Sequence, residues 1–200
     1  MQTRETALWE SFTLGSREAF ADLYKIYHPR LFNYGRKFTD NIEVIEDAIH
    51  DLFMCFWINK SLAEAKNIRS YLFVSFRNNL INKLREDHKG YLSFQADSYQ
   101  FELDASIDQV MINREHLYEQ HISLNKAVEK LTERQKEAVF LMFYEGMSYQ
   151  EVADILQISV KGTYKLMARA ISELKGSYEQ SASLYLLSLP LFLFSFLMFL

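Results

Sequence analysis

The stretch LNKAVEKLTERQKEAVFLMFYEGMSYQEVADILQISVKGTYKLMARAISELK, from Leu124 to Lys175, decides the fold. Apolar residues recur in it at helical spacing, at Val128, Leu131, Val139, Met142 and Phe143, then at Val152, Ile155 and Leu156. Thr132 with Gln135 and Ser148 with Glu151 have the spacing of capping boxes, in which side chains satisfy the unpaired amides of a helix start. Gly146 ends the second helix at a position suited to positive φ. The pattern then breaks only at Gln157-Ile158-Ser159, and Ser159 can cap a new helix. A short helix, a tight turn and a longer, more basic helix make a helix-turn-helix, whose second helix enters the major groove. A plain helical bundle is the competing reading, but turn, caps and basic second helix together favour a DNA-reading head.

On that second helix Thr163, Met167, Ala170 and Leu174 share one face and are expected to pack inward. Lys161, Tyr164, Lys165 and Arg169 then point outward, where cations and a phenol meet phosphates or base edges. Gly162 lowers helix propensity but lets another backbone approach closely.

Working outward, the 200 residues suffice for one or two small domains with real cores. The formal net charge of −4 argues that DNA affinity is confined to local basic patches or borrowed from a partner. Cys55 alone excludes an internal disulfide and fits a reducing cytosol. His28, His50, His88, His116 and His121 show no metal-ligand spacing with it, so neither zinc nor any cofactor is expected. Few glycines and prolines indicate a mostly helical protein. Met1 to Gly15 is polar and carries no long apolar run, so no signal peptide is expected.

Taken in order, Thr3 to Phe12 reads as a short helix ending near Gly15, and Ser16 can cap the next. There Phe20, Leu23, Tyr24, Tyr27, Leu31 and Tyr34 form an apolar stripe, which Pro29 should end or kink near His28. A further helix opens at about Asp40, with Ile42, Ile45, Ile49, Leu52, Phe53 and Phe56 inside. Its outer face carries an acidic ridge of Glu46, Asp47, His50 and Asp51, which by spacing alone is equally a solvated face. After a polar loop, Asn59 to Asn67, a helix runs from Ser70 to about Arg85. Leu72, Phe73, Phe76, Leu80, Ile81 and Leu84 are its apolar contacts. Arg69, Arg77, Lys83, Arg85 and Lys89, interleaved with Asn78, Asn79 and Asn82, make a second basic region suited to bases and phosphates. From Glu86 to about Asp104 helical periodicity fails, as in a linker; a helix from Ser106 then leads into the DNA-reading head.

This order of parts resembles the sigma-70 family of RNA polymerase sigma factors, specifically the compact extracytoplasmic-function (ECF) group. The resemblance covers about Ala19 to Lys175 and rests on three stretches. EDAIHDLFMCFW, Glu46 to Trp57, is similar to the family's core-polymerase-binding helix. RSYLFVSFRNNLINKLR, Arg69 to Arg85, is similar to the helix that reads the −10 promoter element. Leu131 to Ala170 is similar to the −35-reading domain.

The resemblance implies an all-α protein of two small helical domains joined by a linker. It places a core-binding and −10-reading domain at 1–88 and a linker with a lead-in helix at 89–122. A −35-reading helix-turn-helix domain follows at 123–176, then an apolar tail at 177–200. It assigns core binding to Glu46, Asp47, His50 and Asp51, and −10 contacts to Asn67, Arg69, Arg77, Asn78, Asn82, Lys83 and Arg85. It assigns −35 contacts to Lys161, Gly162, Tyr164, Lys165 and Arg169. The Asn59–Asn67 loop would capture a base flipped from the −10 element. The linker, with Asp97, Glu102 and Asp104, would thread toward the polymerase cleft. Tyr164 and Leu166 depart from the family's frequent arginines, which leaves the class intact and the promoter sequence open.

The implied protein is no enzyme: it has no nucleophile-base arrangement, phosphate loop or metal cluster. Its implied partners are core RNA polymerase, promoter DNA and an anti-sigma factor, and its place is the cytoplasm. The rival readings are a helix-turn-helix regulator that binds an operator without polymerase, and a membrane-anchored interaction protein. The tail SASLYLLSLPLFLFSFLMFL, 181–200, is uncharged and just long enough to span a bilayer, although Pro190 interrupts it. Contact with the inner face of the membrane is favoured over folding back or docking on a partner.

Overall fold

The computed structural model describes residues 2–58, 67–87, 99–103 and 124–182, and among these there is no strand. Four helices form the amino-terminal half: α1 (Gln2–Thr13), α2 (Arg17–Gly35), α3 (Ile42–Ile58) and α4 (Ile68–Asp87). In the second half come α5 (124–129), α6 (Glu133–Val139), a π-helical turn (Phe140–Tyr144), α7 (Tyr149–Leu156) and α8 (Val160–Ala182).

Local chemistry fixes the boundaries. Gly15 takes φ +100°, which stops α1 and lets Ser16 cap α2 by accepting the Ala19 N–H at 3.1 Å. The Asn41 side chain accepts the N–H groups of Glu43 and Val44, so α3 starts at Ile42, slightly later than expected. Asn67 caps α4 in the same way through the Ser70 N–H, 3.1 Å. Both capping boxes of the second half are formed, at Thr132–Gln135 and Ser148–Glu151.

Three expectations are corrected. Pro29 does not break its helix: α2 runs uninterrupted from Arg17 to Gly35. The proline sits on an exposed position, while Tyr27, Leu31 and Tyr34 are fully buried around it. Burial of these three outweighs the ~3 kcal/mol typical of an interior proline. Ile42 does not face the core but is 54% exposed, because it is the first residue of α3; Ala48 occupies the inner face instead. Phe143 is likewise 50% exposed, since the widened π turn rotates it off the stripe that Phe140 and Leu141 bury.

The helices of the first half pack closely. A Cβ at Gly35 would lie 2.8 Å from Ile45 and 3.0 Å from Phe76, so α2 meets α3 and α4 at a point where only glycine fits. Trp9 and Phe12 of α1 close the far end against Phe56 and Phe20.

The two halves do not stand apart. One continuous core runs from Trp9 to Ala170, and its middle is an aromatic seam centred on Tyr34. Around that ring lie Phe38, Phe73, Phe76, Phe101 and Phe140, with centroids 5.1–6.1 Å away. Phe101 comes from the segment joining the halves and is fully buried; its N–H donates to Glu133, while the Glu102 N–H donates to the Lys37 carbonyl at 2.7 Å.

Candidate polymerase and promoter interfaces

The acidic ridge of α3 lies on the surface as its spacing predicts. Asp47, His50 and Asp51 are exposed and Glu46 is half-buried. Two of these carboxylates have local partners: Glu46 meets the His28 ring at 2.9 Å, and Asp51 meets Lys83 of α4 at 2.7 Å. The Lys83 hydrogen bond holds the Asp51 carboxyl below its usual range. Asp47 and His50 form the open part of the ridge.

The helix-turn-helix is built by α7 and α8. Gln157 takes left-handed dihedrals, φ 54° and ψ 45°, and reverses the chain in three residues. The Ser159 hydroxyl then accepts the Gly162 N–H at 3.0 Å. A Cβ at Gly162 would lie 3.2 Å from that hydroxyl oxygen, so this glycine admits its own turn rather than an outside backbone.

Thr163, Met167 and Ala170 are buried and Leu174 is half-buried, as the face analysis predicts. Lys161, Lys165 and Arg169 are exposed on the other side. Tyr164 is 51% exposed and stacks on Tyr149, with 3.9 Å between centroids and 16° between planes. The second helix thus presents three cations and Tyr164, whose ring is backed by Tyr149 of α7.

The basic face of α4 is different. Asn67 donates to Glu151 of α7 at 3.0 Å. Arg69 donates to the Gly146 carbonyl at 3.3 Å and lies 3.9 Å from Glu145. Arg77 is buried and forms a two-bond fork with Glu137, 2.7 Å and 3.1 Å. Asn78 accepts from Gln157 at 3.5 Å. These four candidates therefore face the second half of the chain. Asn82 is exposed, Lys83 is paired with Asp51, and Arg85 is half-buried.

Glu137 is the centre of this contact. It is 0% exposed and accepts from Arg77, from the Tyr34 hydroxyl and from the Tyr99 hydroxyl. Burial, reinforced by the Glu137 charge, pushes both phenols well above their usual pKa. Burial works against the Arg77 charge, yet hydrogen bonds and charge from Glu137 carry its pKa above the ordinary arginine value. The carboxylate is paired with a cation and saturated with donors, the condition under which a buried charge is tolerated.

Sequence reasoning missed Glu137, Tyr99 and Glu145. A signal existed for the first: Glu137 is three and four residues before the buried Phe140 and Leu141, and so lies on their apolar face. A carboxylate on such a face requires a partner, and Arg77 on the apolar side of α4 is the complementary oddity. The base-capturing loop, apart from Asn67, lies outside the described residues, as do Asp97, Asp104, the lead-in helix from Ser106 and residues 183–200 of the tail. Among the described residues, no helix is long and apolar enough to cross a membrane.

The comparisons agree with this architecture. The family model for Sigma-70 region 2 matches residues 23–89, and that for Sigma-70, region 4 matches residues 121–174. RNA polymerase sigma factor YlaC of Bacillus subtilis is 25% identical over 173 residues, covering 82% of this chain and 95% of its own. ECF RNA polymerase sigma factor SigM of the same organism is 21% identical over 162 residues, covering 81% and 96%. The fold is shared with CnrH, solved in complex with the cytosolic domain of CnrY (TM-score 0.58, 19% identity, 88% of this chain and 97% of that one). It is also shared with RpoE of Bartonella quintana, solved with the anti-sigma factor NepR (TM-score 0.54, 19% identity, 80% and 96%). The two matched regions, in this order, are those of a transcription initiation factor. The chain belongs to the sigma-70 family, and within it to the ECF group of RNA polymerase sigma factors.

Proposed function

We propose that this sigma factor docks on core RNA polymerase through the outer face of α3, with Asp47 and His50 at the centre of the contact and Glu46 and Asp51 beside them. Helix α4 then reads the −10 element with Asn67, Arg69, Arg77, Asn78, Asn82, Lys83 and Arg85. Helix α8 reads the −35 element with Lys161, Tyr164, Lys165 and Arg169, while Gly162 shapes the turn before them. The protein contributes recognition and strand opening; the chemistry of transcription belongs to the polymerase. Core polymerase also supplies most of the grip on DNA, which reconciles DNA reading with a net charge of −4.

The carrying observation is the outward face of α8, where Lys161, Lys165 and Arg169 are exposed beside Tyr164 on a formed helix-turn-helix. An anti-sigma factor is the expected regulator, since relatives of this fold are known in such complexes. The site of action is the cytoplasm, with the tail at 181–200 as a candidate contact to the inner membrane face; fractionation of the full chain against a form ending at Gly176 tests that contact. The function is tested by transcription from genomic DNA with core polymerase plus this protein. Promoter-specific transcripts absent from core alone are expected; specific operator binding without polymerase, and no such transcripts, would refute it.

A further inference from the structure

We propose that the chain holds itself closed: the −10-reading face of α4 is docked on the helix-turn-helix half, the Tyr99–Leu103 segment is wedged into the seam, and Glu137 is the clasp. The proposal rests on the reading of α4 as the −10 helix. Asn67, Arg69, Arg77 and Asn78 engage Glu151, Gly146, Glu137 and Gln157 respectively. Those contacts extend along one side of α4 from its cap through its middle. A DNA strand cannot reach the same side chains while they are occupied. Lys161, Lys165 and Arg169 meanwhile stay exposed, so the closed chain covers one reading surface and leaves the other open.

The two ends of the seam differ in strength. At one end Glu137 collects Arg77, Tyr34 and Tyr99, and Phe101 seals the aromatic interior above it. The Tyr99 ring also lies under the Arg77 guanidinium, 5.1 Å from its centroid. Separating these groups breaks the two-bond fork and both phenol hydrogen bonds at once. At the other end Arg30 and Arg69 converge on the single carboxylate of Glu145. There Nε and Nη2 of Arg69 are buried without a hydrogen-bond partner. Opening returns those N–H groups to water or to a phosphate, so the weak end favours release while the strong end resists it. Tyr99 belongs to the joining segment and reaches the clasp from outside both halves. Pulling that segment away removes one donor and the Phe101 plug together.

The test uses the full chain with Cys55→Ser, Arg30→Cys and Glu145→Cys, compared before and after bridging by a short bis-maleimide. Bridging is expected to cut promoter-specific initiation by core polymerase at least tenfold, while binding to a −35 duplex stays within twofold. In a second variant, Tyr99→Phe, affinity of the free chain for a single-stranded −10 oligonucleotide is expected to rise on the order of tenfold, because the competent population grows. Equal initiation by bridged and unbridged chains, or an unchanged affinity in Tyr99→Phe, would overturn the closed state. If the chain without substitutions yields no promoter-specific transcript, the sigma-factor reading fails, and this proposal with it.

Discussion

Arg77 and Glu137 meet as a buried two-bond fork, Nε to Oε1 at 2.7 Å and Nη2 to Oε2 at 3.1 Å, although 60 residues of chain separate them. Each comes from a different half, so the pair joins the halves electrically as well as sterically. Glu137→Ala leaves Arg77 as an uncompensated buried cation. It is expected to lower stability by about 3–5 kcal/mol in chemical denaturation. The double replacement Arg77→Met with Glu137→Met should recover the part of that loss that comes from the stranded cation, the Tyr34 and Tyr99 hydroxyls still lacking their acceptor. Measured against Arg77→Met and Glu137→Met singly, effects that simply add would disprove the coupling.

Pro29 gives a prediction of opposite sign. It occupies an exposed interior position of α2, where it withholds one backbone N–H. Pro29→Ala should stabilise the chain by about 1–2 kcal/mol, the helix gain being partly offset by a freer unfolded chain. A lowered denaturation midpoint would show that the proline sets a curvature the core requires.

The ridge on α3 is best probed at its open part. Asp47→Lys should weaken binding to core polymerase at least tenfold with an unchanged helical circular-dichroism signal. Adding Asp51→Lys should abolish binding, and it also sets a like charge against Lys83, now 2.7 Å from Asp51. Full retention of core affinity in both variants would move the docking surface elsewhere.

On α8, Lys161→Ala or Lys165→Ala should weaken −35 binding across many sequences and reduce the salt slope by about one. Tyr164→Ala should change sequence preference instead. Tyr149→Ala should imitate it, because Tyr149 holds the Tyr164 ring by stacking at 3.9 Å. A uniform drop over all promoters for both tyrosine variants would make the pair packing rather than readout.

Acid should loosen the seam. Burial disfavours the Glu151 carboxylate, but the backbone and hydroxyl of Ser148 and the Asn67 amide overcome this and lower its pKa below the ordinary 4.5. Stabilisation from a depressed carboxylate is present above the unfolded pKa and is lost as pH falls through the folded value. Protection of the amides at the start of α7 and at the cap of α4, measured against intrinsic exchange at the same pH, should therefore fall together below about pH 4.5. In Glu151→Gln that acid-dependent loss of protection should vanish.

What the sequence disclosed follows from the range of each force. Capping boxes, the αL turn and the helix faces are decided within a few residues, so Thr132, Ser148 and the inward row Thr163–Met167–Ala170 were legible. Pro29 was misread because its local penalty is visible and the burial of Tyr27, Leu31 and Tyr34 is not. Phe143 was misread because a π turn changes the angular step between side chains. The clasp is legible only in part: Glu137 and Arg77 each stand on the apolar side of a helix, which marks a charge in need of a partner, but Arg77 reads equally as a DNA contact and Tyr99 falls in the linker. Only the fold brings the three within hydrogen-bond reach.

Because Arg77, Glu137 and Tyr99 belong to one chain, their meeting is a unimolecular event. A tether of this kind gives the clasp an effective local concentration on the order of millimolar. Dilution in the cell cannot open it, and raising the amount of protein cannot close it further. Any partner that opens it must instead outbid that fixed local concentration with its own affinity. The share of competent molecules is then independent of how many copies the cell makes, and synthesis alone scales the pool without altering its poise.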